Sequence, residues 1–177
     1  MNKSQIFQLL EESHIELFSW VDSYGEGVWM KGPEGKWTTG QQIKHLVQSL
    51  NQLNLAFKVP KFVLKSRFGT SNRETREYDK VVERYRERLA SNPNVVAPAA
   101  VGMEIPSKDK MSDLIAQLRK EKDQLVKKLQ SWKEADLDKY VLPHPLMGKM
   151  PIREIVMWTG YHTKHHTAQL KEKYTEL

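Results

Sequence analysis

Four separated stretches of this chain carry apolar residues at three- and four-residue spacing, and that periodicity limits the fold more than any other feature. Ile6, Leu9, Leu10, Leu17 and Val21 form a stripe between about Ser4 and Tyr24, with Gly25 and Gly27 expected to end it. Ile43, Leu46, Leu50, Leu53 and Phe57 form a second, stopped by Pro60. Ahead of it, Thr38 and Thr39 each have a glutamine three residues on (Gln41, Gln42), the pattern of a capping box. Met111, Leu114, Ile115, Leu118, Leu125 and Leu129 carry a third from near Ser107 to Trp132. The fourth runs from Pro151, a residue favoured at the first helical position, to about Lys173, with Glu154 placed to complement the helix dipole. Four amphipathic helices of this length predict an all-α chain, a four-helix bundle forming a single domain over residues 1–177. The span between the second and third helices is too long for a tight turn and predicts a crossover.

Residues 60–106 are less regular. VPKFVLKSRFGTSNRET reads as a loop, Glu74 to Ala90 as a polar helix, and SNPNVVAPAAVGMEIPS as an extended strap. Only KFVL and NVVA have β character, and VLPHPLMGKM is rich in turn residues.

Composition narrows the chemistry. Cysteine is absent, so disulfide scaffolds, thiolate metal sites and a protein thiol nucleophile are excluded, and a bound metal must be held by His, Asp or Glu. No run approaches the roughly 18 apolar residues of a membrane helix, and the N-terminus lacks a secretory pattern, so a cytoplasmic protein with no membrane partner is expected. The net charge of +6 comes from basic residues alternating with acidic ones along helix faces, as in RETREYDKVVERYRER. That is the pattern of a solvated surface, and no nucleic-acid partner is expected.

Of six histidines, three fall within the segment TGYHTKHHTAQL. At 100° per residue His162 and His166 share the inward stripe of Ile155, Val156 and Leu170, and two imidazoles one turn apart can hold one ion. His165 and Trp158 fall on the flank, and Tyr161 on the surface side. Thr163 stands where a zinc protease of the HExxH kind has its glutamate. A third ligand has to come from another helix. Periodicity favours His14, beside Leu10 and Leu17, over His45, which lies off its stripe near Gln41, Gln48 and Gln52. His144, between two prolines, reads as a loop residue.

WTTGQQIKHLVQSL and HPLMGKMPIREIVMWTGYHTKHHTAQL resemble the second-helix and C-terminal-helix motifs of the DinB-like (DinB/YfiT) superfamily. The resemblance implies a four-helix bundle with a long second crossover and a three-histidine metal site, here His45, His162 and His166. Zinc suits such a site best, with nickel, manganese or iron as alternatives. Similar proteins include metal-dependent hydrolases and S-transferases that use low-molecular-weight thiols such as bacillithiol or mycothiol, which would bring to a cysteine-free chain the sulfur it lacks. Trp37, Trp158, His165 and His14 are then candidates to line the pocket or stand behind a ligand, and Gln169 to hydrogen-bond a ligand imidazole. Two readings follow: a metal-dependent enzyme acting on a small molecule, or a non-catalytic dimeric binding or stress-response bundle with a structural or vestigial metal site. The lack of an evident general base keeps the second open.

Overall fold

The four striped stretches become the four longest helices among the described residues. A computed structural model describes residues 1–93 and 101–175. In chain order its elements are α1 (Lys3–Trp20), α2 (Glu26–Val28), α3 (Thr39–Ala56), α4 (Lys61–Phe68), α5 (Tyr78–Ala90), α6 (Met111–Ser131), α7 (Glu134–Lys139), a hairpin of β1 (Val141–His144) and β2 (Gly148–Pro151), and α8 (Ile152–Lys173). α1 packs along α8 and α6, and α3 along α6 and α8, burying stripe residues such as Leu10, Leu17, Ile43, Leu50, Leu118 and Leu125 between them.

Local chemistry sets the helix starts. Asn2 and Gln5 exchange side-chain and backbone hydrogen bonds at the head of α1, and Thr38 and Gln41 do the same for α3. Of the two overlapping boxes predicted at this point the Thr38–Gln41 pair forms, which leaves Gln42 free for another partner. The glycines at 25 and 27 do not end the first helix as expected. It continues from α1 through a π turn, Val21–Gly25, into α2.

The crossover also departs from expectation. KFVL is neither strand nor loop: it lies in α4, a short helix that starts after Pro60, ends at Gly69 in the left-handed region (φ 84°) and is pinned by buried Leu64. One inward residue makes no readable stripe. NVVA lies outside the described residues. α5 is the expected polar helix; Val81 and Tyr85 are its buried residues, and it stands on α8. For that reason Tyr161 is not on the surface. It is 8% exposed, and its hydroxyl accepts a hydrogen bond from Arg86 Nε at 2.8 Å. Every residue from Ile152 to Thr163 is buried, so a single inward stripe under-describes this helix.

The turn-rich segment before α8 is an antiparallel hairpin with Val141 opposite Pro151 and His144 opposite Gly148. Gly148 (φ 74°) and the His144 side chain close it. His144 Nδ1 accepts hydrogen bonds from the Leu146 and Met147 amides at 3.1 and 3.0 Å. Pro151 is the extended residue capping α8, not its first helical residue, because it ends β2 (φ −52°, ψ 145°). Glu154 does more than complement the dipole. It is 1% exposed and accepts hydrogen bonds from the Arg73 guanidinium and from the backbone and side chain of Arg76, tying the crossover to the head of α8. Burial raises this carboxyl, but its arginine partners outweigh that and hold it below the ordinary range.

α1 packs tightly on α8 at Gly160, where an added Cβ would lie 2.6 Å from Leu9 Cγ. Gly160→Ala is expected to push Leu9 off its rotamer or spread the helices, at about 1–3 kcal/mol. Thermal unfolding should show a midpoint lower by several degrees. An unchanged midpoint would contradict this packing.

Candidate metal centre

α3 and α8 bring three imidazoles to one point. His45 Nε2 lies 3.1 Å from His162 Nε2, which lies 3.1 Å from His166 Nε2, and one nitrogen from each ring falls within 4.8 Å of the others. Nitrogen ligands on a tetrahedral ion with bonds of about 2.1 Å stand about 3.4 Å apart, so the spacing fits a common ion.

The protonation state fits as well. Burial lowers the pKa of His45 to about 4; burial first, and then neighbouring imidazoles, push His162 and His166 well below the ordinary histidine range. All three are neutral near pH 7, with lone pairs available. Gln42 Oε1 lies 3.0 Å from His166 Nδ1 and accepts its N–H, which turns the Nε2 lone pair of that ring toward the cluster. His45 Nδ1 is buried with no hydrogen-bond partner among the described residues. Without a cation, the three converging Nε2 atoms can be joined only if one ring gives its N–H to the others. A divalent ion satisfies all of them at once.

Aromatic rings wall the cluster. Trp158 stacks on His162 (centroids 4.5 Å, 18°), while Trp37 lies 5.0 Å from His45 and nearly parallel to His166 at 6.5 Å. Tyr85, from the crossover helix, meets His162 at 6.4 Å and His165 at 6.0 Å. The rings open onto a cavity of about 760 Å³ between α3, α4, α5, the hairpin and α8.

The structure thus gathers His45, His162 and His166, with Trp37, Trp158, His165 and Gln169 around the same cavity. His165 is 5.4 Å from His166, ring to ring, outside the nitrogen cluster. His14, which periodicity favours as third ligand, is elsewhere. Its Nδ1 is bonded back to Leu10 O at 2.8 Å within α1, and its ring lies against Phe18. His45 takes the position because it faces the cavity, where an off-stripe residue belongs. The amide that bonds a cluster imidazole is that of Gln42; Gln169 lines the cavity. Three residues around the site are missed by sequence reading. Gln42 is masked by the capping pattern, Tyr85 sits on a polar helix with no stripe, and His144 looks like an ordinary loop residue.

Fold and site together define a mostly helical protein whose convergent histidines could hold a divalent metal. The chain belongs to the DinB superfamily, whose sequence model matches residues 9–170. It is also similar to the uncharacterized protein YuaE of Bacillus subtilis (strain 168), 37% identical over 51 residues. That match covers 29% of this chain and 31% of the relative, so the chain is aligned to about a third of the relative's length. No helix among the described residues is long and apolar enough to cross a membrane.

Proposed function

We infer that α1, α3, α6 and α8 form a DinB-type four-helix bundle whose His45, His162 and His166 bind a catalytic divalent ion, zinc by preference. We further infer that the protein is a metal-dependent transferase acting on small molecules with a low-molecular-weight thiol as cosubstrate. The observation that carries this reading is the set of three converging, neutral Nε2 atoms at the base of a large cavity. An ion with three imidazole ligands keeps positions for exogenous groups and lowers the pKa of a thiol or water bound there.

The remaining roles fall to the chain's own residues. Gln42 fixes the tautomer of His166. Trp37 and Trp158 hold the imidazole planes and exclude water from one side. Among the described residues no Asp or Glu lines the cavity, so no carboxylate base is available to activate water. Hydrolysis assisted by a carboxylate base is therefore disfavoured, and the thiol reading requires no such base. The absence of cysteine from the sequence agrees with sulfur arriving on the cosubstrate.

The test is thiol consumption by zinc-loaded protein against a panel of electrophiles, for wild type and His162→Ala. Consumption above background in wild type alone supports the reading, and background rates with every thiol would reject it. Gln42→Ala is expected to weaken metal binding about ten- to a hundredfold by freeing the His166 ring, measured by competition with a chromophoric chelator. Affinity equal to wild type would remove Gln42 from the site.

A further inference from the structure

The cavity is graded along its length. Residues at successive turns of α3 line it, from Gln42 and His45 through Gln48 and Gln52 to Leu53 and Ala56. From Gln42 to Ala56 that is about 21 Å along the helix axis. The triad end is polar. The far end is lined by Val63, Leu64 and Phe68 of α4, while Leu142 and Leu146 of the hairpin flank His144 on the same cavity. The cavity thus runs from the histidines toward an apolar lining on α4, a channel along α3.

Its charge is one-sided. The chain has 22 acidic residues, yet none lines the cavity among the described residues, whereas Lys36, Arg67 and Lys173 do. His144 adds a fixed donor. Its Nδ1 receives two backbone N–H groups, so the neutral ring carries its proton on Nε2. That side chain lines the cavity, 4.3 Å from the Trp158 ring that stacks on His162.

We propose that the channel takes a small organic anion with an extended aliphatic body, a carboxylate of medium chain length. Its head lies toward the triad, held by His144 Nε2–H with Lys36 and Lys173 at that end, and its chain lies along α3 against α4. The proposal builds on the metal-centre reading, because the head is placed beside the triad, and it names the class of ligand that the cavity of that site selects. Apolar walls supply affinity and the absence of carboxylates supplies the sign of the charge.

Calorimetric titration of the purified full-length chain with decanoate, decylamine and shorter carboxylates tests it, before and after chelation, with metal content measured in the same samples. The expected result is saturable binding of one decanoate per chain, at least tenfold tighter than decylamine. Affinity should rise about fourfold per added CH₂ until the channel fills. His144→Asp keeps an acceptor for the two amides and introduces a negative charge, so it should cost decanoate tenfold or more. Gln52→Glu, at an exposed helical position, reads the same charge effect if the hairpin does not tolerate the first change, and Val63→Asp should abolish the chain-length dependence.

Equal affinity for acid and amine, no dependence on chain length, or decanoate binding indifferent to Gln52→Glu and Val63→Asp would each overturn the proposal. Decanoate binding by a chain that holds no metal before chelation would leave it standing and remove the metal-centre reading. Metal without decanoate binding would do the reverse.

Discussion

Acidification from pH 7 to pH 4.5 is expected to remove several kcal/mol of folding stability, measured by denaturant unfolding at intervals across that range. Two histidines that are not in the triad suffice for the argument. Burial lowers the pKa of His14 and of His144 to about 4 in the folded chain, against an ordinary value of 6.5. Between those values the unfolded chain binds protons that the folded chain does not. Stability therefore rises with pH across this window, is complete above about 6.5 and falls on acidification, at about 1.4 kcal/mol per pH unit per residue. His14 alone accounts for on the order of 3 kcal/mol; His144, which reaches the cavity, accounts for less. Native stabilities of about 5–15 kcal/mol leave little after such a loss. His14→Gln should flatten the profile. The Glu154 carboxylate, held below its ordinary range, adds a further loss only at lower pH, as it takes up a proton and loosens Arg73 and Arg76. A stability independent of pH down to 4.5 would show that these imidazoles are not buried in neutral form.

The second large effect links metal to heat stability. The triad joins α3 to α8, so an ion held there binds the folded state and not the unfolded chain. At a free concentration one hundred times the dissociation constant this linkage contributes about 2.7 kcal/mol. For a chain of this size that raises the unfolding midpoint by about 5–10 °C. Scanning calorimetry should show the rise with zinc, its reversal by chelator, and no response in His162→Ala. A midpoint indifferent to metal in wild type would argue against a site between these helices.

Physical reasons separate what could be read in this sequence from what could not. The four long helices were legible because each buries a continuous stripe against two neighbours, and the caps at Thr38 and Gln41 mark where α3 begins. α4 was not, because a helix anchored by Leu64 alone leaves no period to detect. The hairpin was not, because four-residue strands depend on one glycine at positive φ and on a histidine side chain bonded to the turn. Within the site, His162 and His166 followed from helical spacing. His45 did not: it faces the cavity, where ligands need not share the dry stripe, and only the family motif pointed to it. Tyr161 was misplaced because a wheel drawn for one helix does not include a crossover helix packed on its outer side.

The most direct test of the metal centre is elemental analysis of the chain purified from metal-replete culture, wild type beside His162→Ala, with circular dichroism to confirm that both are folded. About one divalent ion per wild-type chain and none in the folded variant is the predicted result. No metal in wild type, or equal metal in both, would contradict the assignment of His45, His162 and His166 as a metal centre.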